Sequence, residues 1–313
     1  MAFYQYVRAA VHFDLFLRKI DYLLVNNHEI NYIHRMIFNF KKMHGLGNDF
    51  VIIDNRADNL TLNCEQIRLI ADRKLGLGCD QLIVLAKPKD AGADIFMSII
   101  NADGSEVEAC GNASRCVAYL MQKEKNISHV KIETVAGILA AEVIDQNQIT
   151  IDMGKIKMEW QDIPLSQAVD CTHLPIPNPY GILPPLAVNI GNPHVVFFVK
   201  DILAVPLAEF GPMIEHHPLF PKKVNVSIAE VQSKNHIRHR VWERGVGITN
   251  ACGTAGCAVT AAAVVTAQTE RKVRVSLDGG DLVFAYLENG HMLMTGGVVL
   301  VASGQSDESF LKS

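Results

Sequence analysis

Two segments of the chain place a cysteine and a glycine directly before a predicted helix. Ala109-Cys110-Gly111-Asn112 precedes apolar residues with the i, i+3, i+4, i+7 spacing of a helix face, and Ala251-Cys252-Gly253-Thr254 precedes an alanine-rich apolar segment. The backbone N–H groups of a helix N-terminus are unpaired and carry positive partial charge, so they bind anions and lower the pKa of a thiol toward neutrality. Each segment could therefore supply a thiolate base and a binding site for a carboxylate.

Two such helix starts facing each other could invert a stereocentre. Backbone N–H groups would hold one carboxylate while the two sulfurs approach opposite faces of its Cα. One thiolate would remove the Cα proton, and the other thiol would deliver a proton from the far side. The four-residue repeat, together with the order of the elements around it, suggests that the chain contains a duplication.

Other interpretations of these cysteines remain open. Cysteine is often a small buried core residue, and a pair of cysteines can bind zinc. Cys110/Cys116 and Cys252/Cys257 are spaced C-x5-C and C-x4-C rather than the tight C-x2-C of zinc sites. We interpret Cys116 and Cys257 as packing residues and predict no metal.

Composition excludes several classes of protein. The chain has 313 residues, of which 49% are hydrophobic and 20% charged, so it can build a large core, and two domains are favoured. A net charge of −4 without a run of Lys or Arg longer than two predicts a small-molecule partner rather than nucleic acid or a membrane. Seven cysteines without a clean apolar signal segment favour free thiols in a reducing compartment, the cytoplasm.

Strand-like and helical segments alternate twice along the chain. A proline-rich connection follows the first set, which predicts a domain boundary near residues 153–158. We predict an N-terminal domain over 36–154, completed by about 298–313, and a C-terminal domain over 155–297. Residues 1–35 mix charged with apolar residues, and we interpret them as an extension of unknown role. The uncharged segment 245–269 is predicted to be a loop followed by a buried helix.

Six motifs in this order resemble the diaminopimelate epimerase family. Together they span about residues 36–296 and read MHGLGNDFVIID (43–54), GLGCDQL (76–82), NADGSEVEACGNASRC (101–116), GNPH (191–194), VNV (224–226) and WERGVGITNACGTAGC (242–257). The sequence departs from the usual pattern of the family in two respects. Ala113-Ser114 and Ala255-Gly256 differ from the usual pairs after the cysteines, and the segment after Met294 lacks the family's proline, which bears on the C-terminal strand pairing and the dimer contact.

The resemblance implies a fold and an activity. The fold would be α/β (α+β), with two pseudo-symmetric domains, each a mixed, mostly antiparallel sheet curled around a central helix, and an active site between them. The activity would be the interconversion of LL- and meso-2,6-diaminopimelate, a step of lysine and peptidoglycan precursor synthesis. The enzyme would need no cofactor and would be a cytoplasmic homodimer.

The resemblance also assigns roles to residues of this chain. Cys110 and Cys252 would be the base and acid pair, and His194 and Glu243 would support catalysis. The reacting carboxylate would be held by Gly111, Asn112, Gly253 and Thr254. The residues that line the pocket and bind the distal end of the substrate would be Asn48, Gln81, Asn101, Asn192, Asn225, Glu243 and Arg244.

These residue types also suit a substrate whose distal end is zwitterionic. Binding it requires a cation for its carboxylate, an anion for its ammonium group, and neutral amides that donate and accept hydrogen bonds. Alternatives stay open: Glu243 and Arg244 could form a surface pair, His194 could be a structural histidine, and Asn48 could serve a turn. Two other functions also remain. One is a proline or hydroxyproline racemase of the same fold, and the other is a non-catalytic amino-acid-binding relative.

Overall fold

The computed structural model describes residues 37–57, 60–181, 183–307 and 309–312. Residues 39–305 form one compact unit, and Phe38 belongs with the segment from 306 onward to a second, small unit. In that small unit the Phe38 backbone N–H donates to Ser306 Oγ at 2.9 Å. The predicted extension over residues 1–35 lies outside the described residues.

Within the described residues, the first half of the larger unit contains eight strands and two helices. In chain order they are β1 (Asn39–Gly45), β2 (Asn48–Asp54), α1 (Cys64–Ala71), β3 (Gln81–Ala86), β4 (Ile95–Asn101), β5 (Glu106–Val107), α2 (Gly111–Lys125), β6 (His129–Thr134), β7 (Gly137–Asp145) and β8 (Gln148–Lys155). Asn63 caps α1 with a reciprocal hydrogen-bond pair to Gln66, which explains where that helix begins.

The second half repeats this order. Its elements are β9 (Leu186–Asn189), β10 (Pro193–Phe198), α3 (Leu207–Glu215), β11 (Asn225–Ser233), β12 (His236–Glu243), β13 (Gly247–Thr249), α4 (Gly253–Val265), β14 (Lys272–Leu277), β15 (Gly280–Tyr286), β16 (His291–Gly296) and β17 (Val299–Gln305). Two single-turn 3-10 segments, Ile202–Ala204 and Phe310–Lys312, complete the described elements.

The two halves pair their strands in the same way. In the first half β2 is parallel to β3, β3 antiparallel to β4, β4 parallel to β6, and β6, β7 and β8 follow as antiparallel neighbours. In the second half β10, β11, β12, β14, β15 and β16 reproduce this sequence of directions. The short strands β5 and β13 attach to the equivalent strands β4 and β12. The pairing confirms the internal repeat that the two cysteine segments suggest.

Each half curls its sheet around one buried helix. Helix α2 contacts β1, β6, β7 and β8, whereas α4 contacts strands from β9 to β16. Helix α4 is apolar on nearly every side, and a methyl group added at Gly256 would lie 2.3 Å from Phe284 Cζ, so the helix approaches the sheet closely. The predicted fold class of two pseudo-symmetric halves is confirmed.

Two pairings connect the halves. The last strands of the two repeats, β8 and β16, are antiparallel neighbours, and β17 returns to pair with β1. Strand β17 was not predicted, because its Val299-Leu-Val-Ala-Ser-Gly-Gln sequence carries no alternating pattern. In the structure all its residues are exposed. The expectation of a loop from residue 245 was also incomplete, since β13 forms there as a short antiparallel partner of β12.

No helix within the described residues is both long enough and apolar enough to span a membrane.

Candidate active site

Cys110 and Cys252 occupy the same position in the two repeats. Each is the residue before the first turn of the buried helix, with backbone angles φ −145°, ψ 109° at Cys110 and φ −132°, ψ 111° at Cys252. Neither side chain forms a capping hydrogen bond to its helix. Both predicted helix starts are therefore formed, each with a thiol beside it.

The two helix starts face one methionine. A methyl group added at Gly111 would lie 2.6 Å from Met294 Cε, and one added at Gly253 would lie 2.9 Å from Met294 Sδ. Met294 belongs to β16, the strand that pairs with β8 of the first half. The glycine after each cysteine thus allows both helices to begin against the same side chain, which brings the two thiols to one region of the molecule.

An amide network surrounds the first thiol. The Cys110 thiol points to Asn48 Oδ1 at 3.8 Å, and Asn112 Nδ2 donates to the same oxygen at 3.3 Å. Asn48 Nδ2 donates to Asp80 Oδ2 at 3.2 Å. Asp80 also accepts the backbone N–H of Asp49 at 3.0 Å. Asn48, at the start of β2, therefore contacts the first thiol and its neighbouring amide in addition to following a turn.

The second thiol has a corresponding network. Cys252 Sγ lies 3.4 Å from Thr254 Oγ1, which accepts from Asn192 Nδ2 at 3.3 Å. His194 Nε2 is 2.9 Å from Asn192 Oδ1, so it donates to that oxygen. Asn192 follows a glycine with positive φ, as Asn48 does, so both asparagines are presented by the same kind of turn before a strand.

The strand ends beside these turns carry further polar side chains. Gln81 at the start of β3 donates from Nε2 to Oδ1 of Asn101, its neighbour at the end of β4, at 3.0 Å. In the second repeat Asn225 opens β11, with Oδ1 accepting the Arg244 backbone N–H at 2.9 Å and Nδ2 donating to the Pro193 carbonyl at 2.9 Å. The repeat therefore brings these predicted residues to equivalent strand ends.

Glu243 and Arg244 lie at the end of β12 and just after it. Glu243 accepts a hydrogen bond from the Thr249 hydroxyl, and, together with burial, its negative charge raises the pKa of the Cys252 thiol. Arg244 is exposed, and its Nη1 donates to the Lys222 carbonyl at 3.0 Å. Within the described part of the chain the two side chains form no ion pair with each other, so the surface-pair interpretation is wrong.

Burial controls the pKa values of the site. Burial raises the pKa of the Cys110 thiol, and the backbone N–H groups of Ala113 and Asn112 act in the opposite direction. Burial and the Glu243 carboxylate together raise the pKa of the Cys252 thiol well above its usual value. The expectation that a helix start brings these thiols toward neutrality is therefore wrong for the protein alone, since loss of hydration outweighs the N–H groups. Burial also lowers the pKa of His194 to about 3, so this histidine is neutral.

Two buried charged residues beside the site escaped the sequence analysis. Arg115 is fully buried, and its Nη2 donates to Asn112 Oδ1 at 3.0 Å. Glu215 accepts from Trp242 Nε1 at 2.7 Å and from the Gly245 backbone N–H at 3.0 Å, so it holds the turn that carries Glu243 and Arg244. The sequence signal for both residues is a charged side chain within the apolar part of a helix. Such a residue indicates a buried charge, which needs specific partners.

Two further cysteines follow the site cysteines along the chain. Cys116 and Cys257 are fully buried in the main core, as predicted for packing residues. Among the described residues there is no group of three or more His, Cys, Asp or Glu side chains that could hold a metal ion.

Comparison with protein families gives a match over both repeats. The model described as "Diaminopimelate epimerase" matches residues 40–159 and 186–301. Among curated proteins, the diaminopimelate epimerase of Rhodospirillum centenum is 47% identical over 276 residues, covering 88% of this chain and 94% of the relative. That of Erythrobacter litoralis is 48% identical over 263 residues, covering 83% and 94%.

Solved structures share the fold at low identity. A hydroxyproline epimerase from Agrobacterium vitis, with bound trans-4-hydroxy-L-proline, superposes with a TM-score of 0.62 at 14% identity, covering 86% of this chain and 91% of the other. A PhzF-family phenazine biosynthesis protein from Bacillus anthracis gives a TM-score of 0.62 at 17% identity, with coverages of 86% and 99%. These likenesses concern the fold.

Proposed function

The chain belongs to the diaminopimelate epimerase family and is an isomerase, and from that premise we propose that Cys110 and Cys252 interconvert LL- and meso-2,6-diaminopimelate. The observation that carries the proposal is the placement of both thiols before the two buried helices, whose first residues contact the same Met294 side chain. Each sulfur would address one face of the Cα.

The reaction needs one thiolate and one thiol. The thiolate removes the Cα proton, negative charge accumulates on the carboxylate, and the opposite thiol returns a proton to the other face. The N–H groups of Gly111, Asn112, Gly253 and Thr254 would hold that carboxylate, because they belong to the first turns of the two helices, where backbone N–H groups bind anions. The roles exchange when the reaction runs from the other isomer.

Charged and amide groups would bind the distal end of the substrate. Arg244 supplies a cation for the distal carboxylate, and Glu243 supplies an anion for the ammonium group. The side chains that would complete the pocket with neutral donors and acceptors are Asn48, Gln81, Asn101, Asn192 and Asn225. Their placement at equivalent strand ends supports this assignment.

Glu243 and His194 would support the chemistry in different ways. The Glu243 carboxylate is the charged group that acts on Cys252, and we propose that it accepts that thiol's proton when Cys252 acts as the base. Neutral His194 orients Asn192, which in turn donates to Thr254 beside Cys252. His194 would therefore act through Asn192 rather than by direct contact with the sulfur.

A proline or hydroxyproline racemase is the second candidate, since the hydroxyproline epimerase shares the fold. Such a substrate has no distal amino-acid end, so Glu243, Arg244 and the asparagine set favour diaminopimelate. A non-catalytic amino-acid-binding relative would not need two thiols at matched positions. We further propose that the reaction needs no cofactor or metal and takes place in the cytoplasm.

We also propose that the protein has two domains. The N-terminal domain would comprise residues 36–154 and 298–313, and the C-terminal domain residues 155–297. We further propose that the protein is a homodimer. Support for the dimer comes from β17, a strand that pairs only with β1 among the described strands and exposes Val299, Leu300 and Val301 by 44%, 40% and 58%. An exposed apolar edge strand favours pairing with a second copy.

The test is proton NMR of the reduced protein with LL-diaminopimelate, without added cofactor or metal. We expect meso-diaminopimelate to appear, and proline and hydroxyproline to remain unchanged. Racemisation of proline without conversion of diaminopimelate would select the second candidate, and binding without conversion would select the non-catalytic relative.

A further inference from the structure

Helix α3 ends with a buried carboxylate, that of Glu215. The C-terminus of a helix carries negative partial charge, so it repels a carboxylate, and burial removes the water that would solvate the charge. Burial acts to raise the pKa of Glu215, but hydrogen bonds from Trp242 and Gly245 and the charge of Lys223 hold that pKa below its ordinary value. The group is therefore ionised, and it depends on these specific partners.

The two oxygens of Glu215 bind residues on either side of the Glu243–Arg244 pair. Oε2 accepts the Trp242 indole N–H at 2.7 Å, and Oε1 accepts the Gly245 backbone N–H at 3.0 Å. Lys223 Nζ lies farther away, 3.7 Å from Oε1. One side chain of α3 thus fixes both the residue before this pair and the residue after it.

Close packing of α3 against the indole ring makes these contacts possible. A methyl group added at Gly211 would lie 2.5 Å from Trp242 Cγ, so the helix approaches the ring directly. Gly211 and Glu215 are four residues apart and share one face of the helix. The ring therefore lies along this face, with its N–H at the Glu215 end.

The position of Trp242 also determines which way Glu243 points. Successive side chains of a strand lie on opposite faces of the sheet, so Glu243 faces away from α3. Val241, two residues earlier, shares the face of Glu243 and packs with Cys252. Holding Trp242 against α3 therefore keeps Glu243 on the side of the second thiol.

The turn after this pair has little support of its own. Residues 245–248 read Gly-Val-Gly-Ile and carry no polar side chain. Gly245 and Gly247 have φ angles of +75° and +107°, and Val246 is 75% exposed. Glycine has the greatest conformational freedom of all residues, so a contact from outside the turn is needed to fix it.

The corresponding turn of the first repeat is held mainly by its own side chains. Between β4 and β5, Asn101 Nδ2 donates to Ser105 Oγ at 3.0 Å, and the Asp103 carboxylate accepts the Ser105 backbone N–H at 2.9 Å. Arg68 of α1 adds one contact, at 3.2 Å, to the Asp103 carbonyl. In the second repeat the contact comes instead from the carboxylate at the end of α3.

The segment that follows α3 contacts Arg244 itself. The Lys222 carbonyl accepts from Arg244 Nη1 at 3.0 Å, and Asn225 Oδ1 accepts the Arg244 backbone N–H at 2.9 Å. The position of the Arg244 guanidinium therefore depends on residues 215–225, the end of α3 and the connection to β11.

We propose that Glu215 is a positioning residue that determines specificity. Through Trp242 and Gly245 it fixes the turn that carries Arg244, and so sets how tightly the enzyme binds the distal end of its substrate. This inference rests on the proposed function, in which Arg244 binds the distal carboxylate.

The test measures kcat and KM for LL-diaminopimelate in the wild type and in Glu215→Gln. Glutamine has the same shape, but one of its two terminal groups is a donor, so it cannot accept from both Trp242 and Gly245. We expect KM to rise about tenfold, because a hydrogen bond to a charged group is lost. The described contacts of Glu215 include neither thiol, so kcat should stay within about threefold of the wild type.

A second measurement asks whether Glu215 acts through Arg244. In an Arg244→Met background the cation is absent, so Glu215→Gln should raise KM by less than about twofold. Simple loss of packing would give the same factor in both backgrounds. Lys223→Met is the matched control, since it removes the loose ion pair and leaves both hydrogen bonds of Glu215; its KM should stay within about twofold of the wild type.

Trp242→Phe provides an independent variant should Glu215→Gln fail to fold. It keeps an aromatic ring against Gly211 but removes the N–H that Glu215 accepts. We expect KM to rise by about threefold or more with kcat retained, and this rise to disappear in the Arg244→Met background.

An unchanged KM in folded Glu215→Gln or Trp242→Phe would overturn the proposal. The same KM factor with and without Arg244 would overturn it too, as would a rise in Lys223→Met equal to that in Glu215→Gln. Each of these results requires a wild type that converts LL-diaminopimelate, whereas failure of the proposed function would appear as no conversion by the wild type.

Discussion

Cys110 and Cys252 have matching backbone conformations at corresponding positions of two structural repeats, although the repeats share few residues in sequence. Their φ and ψ angles differ by 13° and 2° (−145° and −132°, 109° and 111°). Each precedes a glycine whose added methyl group would collide with Met294. The duplication therefore supplies two equivalent helix starts, which is the arrangement that a two-sided proton transfer requires.

The distal end of the substrate gives the first prediction. Replacing Arg244 by Met removes the cation proposed for the distal carboxylate, so we expect KM to rise and kcat/KM to fall by about tenfold or more, the effect of losing a charge-assisted hydrogen bond of about 1.5–3 kcal/mol. Steady-state kinetics measures both constants. Arg274→Met is the matched control, since Arg274 is exposed and pairs only loosely with Asp281 at 3.7 Å. An unchanged KM in Arg244→Met would remove Arg244 from the binding site.

Oxidation gives the second prediction. Sulfurs that address one Cα from opposite sides are expected to be close enough to form a disulfide when no ligand separates them. Air-exposed enzyme should lose activity, regain it with reductant, and yield a Cys110–Cys252 link in non-reducing peptide mapping. Cys64→Ser serves as the control, because Cys64 is an exposed thiol outside the site. Inactivated protein without this link would count against the facing arrangement.

Acid stability gives the third prediction. Burial lowers the pKa of His239 to about 3 from an ordinary value of 6.5. Between these values the unfolded chain binds a proton that the folded protein does not, so the free energy of unfolding falls as pH decreases from 6.5 toward 3.

Replacing His239 by Leu should weaken this dependence by about 2 kcal/mol between pH 7 and pH 5. The measurement is urea unfolding at both pH values. Both ring nitrogens of His239 lack partners in the described part of the chain, so Leu breaks no hydrogen bond there. The exposed His129, changed to Gln, is the control. An equal pH dependence in wild type and His239→Leu would contradict the account.

Close packing of α4 gives the fourth prediction. A methyl group at Gly256 would lie 2.3 Å from Phe284 Cζ, and an aromatic ring inside the core cannot move aside easily. Gly256→Ala should therefore lower the free energy of unfolding by about 1–3 kcal/mol. Gly92→Ala is the control, because its methyl group would meet only the Asp90 carboxylate, at 3.1 Å. If the free energy of unfolding of Gly256→Ala equals that of the wild type, α4 is not closely packed against Phe284.

Much of the fold could be predicted from local patterns in the sequence. The apolar periodicity of α2 and the all-round apolar character of α4 indicated two buried helices, and the repeated cysteine segments indicated where they begin. Strands β13 and β17 could not be predicted in this way. β13 has three residues, and β17 exposes every residue, so their positions depend on pairing with distant strands rather than on their own sequence.

The site was predictable where the residue type suggests the chemistry. Cysteines at helix starts, a Glu–Arg pair and amides in turns could be identified from the sequence, but their contacts could not. The short hydrogen bond from Thr249 to Glu243 depends on the β12–β13 turn. Arg115 was missed because a single arginine in a helix is ordinarily a surface residue, and only the glycines at 45 and 296 make room for it inside.

The central claim is that both Cys110 and Cys252 are required to invert the substrate. The most direct test is proton NMR in D2O with LL-diaminopimelate and reduced Cys110→Ala, Cys252→Ala and wild-type enzymes, with Cys64→Ala as the control. We predict that the wild type and Cys64→Ala exchange the Cα proton and form the meso isomer. Each of the other two variants should form the meso isomer at least about 100-fold more slowly, as expected when a positioned acid or base is lost. Meso-diaminopimelate formed at the wild-type rate by either folded variant would contradict the account.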